Sequence, residues 1–368
     1  RERRMILHMY FARRFLMSFL GVTGVFVLII VSVDLVEQLR KFSSADATMV
    51  DVIALSLLNG PLTLYRMLPL IMILAAIAFF LALARSSELV VTRAAGRSAI
   101  RALLAPLAVT LAIGMLSVGV LNPIVSSTSK AYENRSDTLR GSSSILSLGS
   151  SGLWLRQGDE TGQTVIRAKS ANLDGTRLSD VSFLTFTPDG TPTQRINAGS
   201  AQLASGEWVL RGVKSWPLVG EIVPEAASEV LPQLSVPSTL TPDQIRDSFG
   251  TPSSIPVWEL PAFIDRLQAA GFSAQRHLVW LHAELALPAF LIAMVLVAAS
   301  FTMRHQRGGR TGLMVLSAVL LAFILYFIRN FAQVLGENGD LPAVLAAWAP
   351  PLAAIGLSLG ALLHSEDG

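Results

Sequence analysis

Residues 63–98 read TLYRMLPLIMILAAIAFFLALARSSELVVTRAAGRS, a predominantly apolar run to position 84 followed by a short basic turn. An α-helix rises about 1.5 Å per residue and the hydrocarbon core of a bilayer is about 30 Å thick, so a spanning helix needs about 20 such residues. The run 63–84 meets that requirement. Working outward, so do 15–36, 99–125, 285–303, 312–335 and 341–363. Pro288 and the pair Pro350-Pro351 are expected to kink or locally unwind the fourth and sixth spans.

The composition agrees. Of 368 residues 52% are hydrophobic and 15% charged, with mean hydropathy +0.53, where a soluble domain carries about a quarter of its residues as charges. A soluble enzyme, a disordered tail and a fibrous repeat are excluded. With no cysteine, the chain has no disulfide framework, no thiolate nucleophile and no thiolate zinc site.

Arginine placement sets an expected orientation, because basic loops stay cytoplasmic. Arg1, Arg3, Arg4, Arg13 and Arg14 precede the first span; Arg85, Arg93, Arg97 and Arg101 follow the second; Arg304, Arg307 and Arg310 follow the fourth. Only Glu2, Glu88, Glu366 and Asp367 oppose them on that side. Both termini are therefore assigned to the cytoplasm, and the basic pI near 9.5 is a topology signal that implies no nucleic-acid partner. The first span is too long for a cleavable signal peptide, and no small-residue cleavage site follows it.

Between the third and fourth spans the composition changes. Residues 126–283 hold 13 Lys and Arg against 15 Asp and Glu, with frequent Gly, Ser, Thr and Pro. Short β-type runs at 153–155, 164–166, 181–186 and 208–210 alternate with turn chemistry at Gly158-Asp159, Asp174-Gly175, Pro188-Asp189-Gly190 and Gly206. Even spacing of short strands points to a sandwich or jelly roll. Two helical pieces lead back: one opens at Thr241-Pro242-Asp243, and one over 256–270 repeats Leu260, Phe263, Ile264 and Leu267 before Gly271. The expected fold is an α-helical membrane protein of six transmembrane helices with an inserted, outward-facing all-β (jelly-roll-like) domain, which in a two-membrane bacterium is periplasmic. Its segments are spans one to three over 1–125, the β-domain over 126–240, a helical return over 241–283, and spans four to six over 284–368.

Catalytic signatures are absent from the sequence. None of the four lysines, Lys41, Lys130, Lys169 and Lys214, follows a glycine, so no phosphate-binding loop exists. Neither H-E-x-x-H nor G-x-S-x-G occurs, and His8, His277, His282, His305 and His364 are too scattered for a metal site. Asp34 and Arg329 are read as the charges inside or at the margins of the spans; at that depth a charge is paired, headgroup-facing or functional. A non-catalytic chain follows, with no metal and no cofactor of its own.

The basic turn after the second span is more ordered than a connector requires. Ser86 or Ser87 can cap a short helix over about 86–96, Glu88 lies in its first turn where the macrodipole favours an anion, and Gly96 ends it. Leu89, Val90, Ala94 and Ala95 give it an apolar surface suited to docking on another protein.

The wording of that turn, S-E-L-V-V-x-R-A-A-G, resembles the signature of the lipopolysaccharide-export permeases, the LptF/LptG family. Val36 to Lys41, Leu68-Pro69-Leu70, Gly152-Leu153-Trp154 and Leu285 to Pro288 extend the resemblance over nearly the whole chain. The E-Q-L-R-K and G-L-W stretches look more like the LptG branch than the LptF branch.

The resemblance implies a permease subunit that pairs with an LptF-type subunit, binds a dimer of an LptB-type cytoplasmic ATPase, and works with an LptC-type bitopic protein and a periplasmic bridge. ATP and Mg would belong to the ATPase, and lipopolysaccharide would be the cargo. On this analogy Glu88, Leu89, Arg93 and Arg97 form the ATPase-coupling element. Arg40 and Lys41 lie at headgroup depth, as phosphate ligands or as ordinary interfacial side chains. Asp34 stands where the LptG pattern commonly has lysine, and Leu62 departs from that pattern too. Asp34 and Arg329, at similar depths, are expected to form a gating ion pair or to release Arg329 for a phosphate. Phe26, Tyr326 and Phe327 are acyl-chain ligands or helix-packing residues. A reading from another class is a membrane-anchored envelope scaffold or sensor whose β-domain binds a partner without transport.

Overall fold

The computed structural model describes residues 2–43, 48–86, 88, 99–140, 146–149, 152–159, 162–172, 175–204, 206–218, 225, 227–238, 240–241, 245, 251–269, 273–303 and 311–367. The chain divides into two compact units, one of Arg1–Leu139, Ser253–Trp258 and Gln275–Gly368, the other of Arg140–Pro252 and Glu259–Ala274.

In the first unit the helices are α1 (Glu2–Lys41), α2 (Met49–Arg85), α3 (Ala99–Leu116), α4 (Asn122–Arg140), α6 (Gln275–Thr302), α7 (Thr311–Glu337) and α8 (Ala343–Asp367). Among the described residues six helices are long and apolar enough to cross a membrane, α3 and α4 forming one of them through a five-residue π-helical segment, Ser117–Leu121. Helix α6 is the hub: it packs on α2, α3, α7 and α8, and most of its apolar window is buried. Helices α1 and α7 bury little, leaving Leu28, Val33, Leu320 and Phe327 exposed, which costs nothing in a hydrocarbon solvent.

Specific packing locks this helical unit. Phe11 and Phe15 of α1 meet Phe79 of α2 edge-to-face, with centroids 6.3 and 5.4 Å apart, the geometry the ring quadrupole favours. At Gly114 of α3 an added Cβ would lie 2.7 Å from Pro288 Cα, so only glycine permits that approach. Helix α2 opens with a capping box in which Thr48 and Asp51 satisfy each other's free N–H groups, and Asp51 also takes Arg135 of α4 at 2.7 Å.

Local unwinding at the prolines is not found: the helices run unbroken through Pro288 and through Pro350-Pro351, as neighbouring helices stabilise freed carbonyls where water cannot. A further irregularity, the π segment Ser117–Leu121, ends just before Asn122-Pro123, where the proline has no N–H for the Gly119 carbonyl one turn back. Residues 126–140, polar enough to resemble the start of the insert, continue the third span as α4, their buried stripe of Val125, Ser126, Ser129 and Ser136 keeping helical period. The fourth span's helix likewise begins at Gln275.

The second unit holds an antiparallel seven-stranded sheet, ordered β1 (Leu146–Gly149), β2 (Gly152–Asp159), β3 (Gly162–Ala171), β4 (Arg177–Phe186), β5 (Pro192–Ala204), β6 (Glu207–Pro217) and β7 (Glu229–Pro237). Among the described residues the insert after α4 is all-β up to β7, and its connectivity is a meander in which every strand pairs with its chain neighbours. Gly190 (φ +87°) and Gly206 (φ +82°) supply left-handed conformations at two of its turns. Gly158-Asp159 does not turn; both residues pair with β3. Leu153, Leu155, Ile166, Phe183, Ile196, Trp208 and Leu210 are buried, the period-two pattern of a sheet with one covered face. Helix α5 (Leu260–Ala269) buries Leu260, Ile264 and Leu267. Of the piece opening at Thr241-Pro242-Asp243, positions 242–244 and 246–250 lie outside the described residues.

Candidate functional site

The strongest polar constellation in the helical unit centres on Glu284 of α6, which is 4% exposed. Its Oε2 accepts hydrogen bonds from the Tyr65 hydroxyl of α2 and from Asn122 Nδ2 at 3.1 Å. Asn122 is the first residue of α4 after the π segment, and its Oδ1 accepts the Val257 N–H at 2.8 Å. A π segment adds a residue to the turn and rotates the helix beyond it, and such segments recur at functional sites. One carboxylate thereby joins α2, α4 and α6, and through Asn122 the 253–258 segment.

Glu284 borders a cavity of about 350 Å³ between α2, α6 and α7, lined also by Tyr65, Arg66, Trp280, Tyr326, Arg329, Asn330 and Gln333. The Arg329 guanidinium lies 5.0 Å from the centroid of the Phe290 ring, a cation-π geometry, and it interacts electrostatically with Glu284 without a direct ion pair among the described residues. The Trp280 indole N–H has no hydrogen-bond partner among the described residues. Two guanidiniums against one carboxylate give the cavity a net positive charge with free N–H donors, chemistry suited to a phosphate or carboxylate.

Asp34 and Arg329 are not brought together: among the described residues no ion pair joins them. Asp34 Oδ1 instead accepts from Asn59 Nδ2 at 2.6 Å and Gln38 Nε2 at 3.4 Å. Arg40 is exposed, and Lys41 Nζ donates to the Tyr132 hydroxyl of α4 at 2.8 Å. Tyr326 lines the cavity and its hydroxyl reaches the Arg66 carbonyl at 3.5 Å. Phe26 is half-buried, while Phe327 is exposed and stacked on Phe331. Glu88 Oε1 takes Arg14 Nη1 of α1 at 2.5 Å. Burial pushes the Glu88 carboxyl up, but the hydrogen bonds from Arg14 and Ser86 outweigh it and hold the group below the usual carboxylate range. Leu89, Arg93 and Arg97, with the rest of the helix expected over 86–96, lie outside the described residues.

Sequence reasoning missed Arg66 and Glu284, although both lie in membrane-length helices. Arg66 sits inside the apolar run 63–84 and Glu284 one residue before the run 285–303; a charge at either place is a visible signal. Among the described residues no group of three or more His, Asp or Glu side chains could hold a metal ion.

Six membrane-length helices, with a β-sheet inserted between the third and fourth, define a multi-pass membrane protein. The family model for the lipopolysaccharide export system permease LptF/LptG matches residues 9–364, and the chain belongs to that family. It is similar to the lipopolysaccharide export system permease protein LptG of Haemophilus influenzae, at 23% identity over 345 residues covering 92% of this chain and 90% of the relative.

Proposed function

We propose that the chain is an inner-membrane, LptG-type permease subunit that moves lipopolysaccharide out of the membrane towards a periplasmic bridge. Family membership over residues 9–364 is the observation that carries this reading. The subunit pairs with an LptF-type permease and an LptC-type protein, and an LptB-type ATPase dimer hydrolyses ATP with Mg. Both termini face the cytoplasm and the β-insert faces the periplasm, in accord with the positive-inside distribution.

In this reading the chain performs no catalysis. The turn around Glu88 receives the motion of the ATPase, and the Arg14–Glu88 ion pair passes it to α1 while Arg85 and α2 carry it directly. Arg40, Lys41 and Arg329 receive the lipid phosphates. Phe26 and Phe327 meet acyl chains, which the mostly exposed apolar faces of α1 and α7 accommodate.

The test is co-purification of the chain with cytoplasmic ATPases, followed by lipid-stimulated ATP hydrolysis in nanodiscs. Glu88→Lys is expected to abolish association and stimulation together. Retention of both by the variant would remove the coupling role, and a wild-type chain that recruits no ATPase would remove the transport reading.

A further inference from the structure

We propose that α1, α2 and α4 enclose a binding site for a small monovalent cation, with Asp34 supplying the charge and Ser56 and Ser129 supplying hydroxyl ligands. Asp34 is 5% exposed, and among the described residues every donor that reaches it goes to one oxygen. Lys41 Nζ donates to Tyr132, the Tyr132 hydroxyl donates to Gln38 Oε1 at 3.2 Å, and Gln38 Nε2 donates to Asp34 Oδ1. Asn59 donates to that oxygen as well. The other oxygen, Oδ2, is buried and has no hydrogen-bond partner among the described residues.

Two further buried oxygens are in the same condition. Ser56 Oγ and Ser129 Oγ are without partners among the described residues, on residues 3% and 5% exposed. Ser56 lies one turn of α2 from Asn59, and Ser129 one turn of α4 from Tyr132, so each shares a helix face with a member of the Asp34 network. Helical serines ordinarily bond the carbonyl one turn back, as Ser117 and Ser127 do here; Ser56 and Ser129 do not.

A buried carboxylate that only amides reach lacks its compensating charge. The lysine of the network is two side chains removed, and a guanidinium or ammonium of another subunit cannot reach an oxygen closed off inside this chain's own helices. The occupant that fits is an ion small enough to lie between helices and hard enough to prefer carboxylate and hydroxyl oxygens. A single carboxylate sets its charge at one. Bound there, the ion would tie the outer end of α1, which carries Lys41 and Arg40, to α2 and α4.

The test is thermal unfolding of the full chain in lipid nanodiscs, monitored by tryptophan fluorescence in sodium or choline chloride at equal ionic strength. Sodium is expected to raise the midpoint saturably over choline. Asp34→Asn should remove the sodium-dependent part, and Ser129→Ala should raise the half-saturating sodium concentration about tenfold. The Ser129 variant decides the matter if Asp34→Asn does not fold. Equal midpoints in sodium and choline, or a sodium effect that survives in Asp34→Asn or is unaltered in Ser129→Ala, would overturn the proposal. So would a midpoint that follows pH through Asp34 with no dependence on sodium, since a proton would then occupy the place.

Discussion

The Tyr65 hydroxyl of α2 donates a hydrogen bond to Glu284 Oε2 of α6 across 219 positions of sequence. With Asn122 on the same oxygen, this contact fixes three spans around one buried acid beside the basic cavity. Tyr65→Phe keeps the ring and removes the donor. The expected loss is about 1.5–3 kcal/mol, the range for hydrogen bonds to charged groups, measured as a lowered unfolding midpoint in nanodiscs. A midpoint equal to wild type would mean the bond contributes nothing.

The Gly114–Pro288 approach gives a steric prediction. Gly114→Ala places a Cβ 2.7 Å from Pro288 Cα, a backbone atom that cannot swing aside, and should cost about 1–3 kcal/mol as overpacking does. Gly21→Ala is the control, since nothing lies within 4 Å of a Cβ there; it should be neutral or stabilising by up to about 1 kcal/mol through helix propensity. Equal midpoints for the two variants would show that α3 and α6 separate freely.

Charge reversal addresses Asp34 and Arg329. Because Asn59 and Gln38 hold Asp34 while Arg329 faces Phe290 and Glu284, the double swap Asp34→Arg with Arg329→Asp should rescue nothing lost by either single change. The readout is lipid-stimulated ATP hydrolysis by the reconstituted complex. Rescue would establish the pair that the similar depth of the two residues suggests.

Lys214 and Trp216 of β6 both donate to Glu225, and the Lys214 hydrogen bond, followed by that of Trp216, holds its carboxyl below the usual value of 4.5. A carboxylate depressed in the folded state adds stability above its ordinary range and loses it as pH falls through the lowered value. NMR titration of the Glu225 side chain should give a midpoint below 4.5, and Lys214→Gln should move it back up. The group is largely exposed, so the global unfolding midpoint should barely follow.

How much was legible depended on the range of the interaction. Apolar run length revealed the spans, because the bilayer imposes it locally. Four strands were visible in β-rich runs, but β1, β5 and β7 were not; in β5, Gln194, Arg195, Asn197 and Ser200 disguise a strand that buries Ile196, Ala198, Ala201 and Leu203. The polar end of the third span was assigned to the insert for the same reason, since serines bury on α4 as readily as they dot a loop. Arg66 and Glu284 were overlooked because their neighbours' hydropathy outweighed them.

Sequence by itself determined the six spans, the all-β insert, the distribution of arginines and the resemblance that the family match later bore out, all properties of contiguous residues. Tertiary structure alone decided which charges meet. Asp34 and Arg329, placed at similar depths by counting along the sequence, face different helices, while Tyr65 and Asn122, far apart in the chain, converge on one oxygen of Glu284. Depth follows from counting along a helix; a partner depends on how each helix is rotated about its axis, and only packing against the others fixes that rotation.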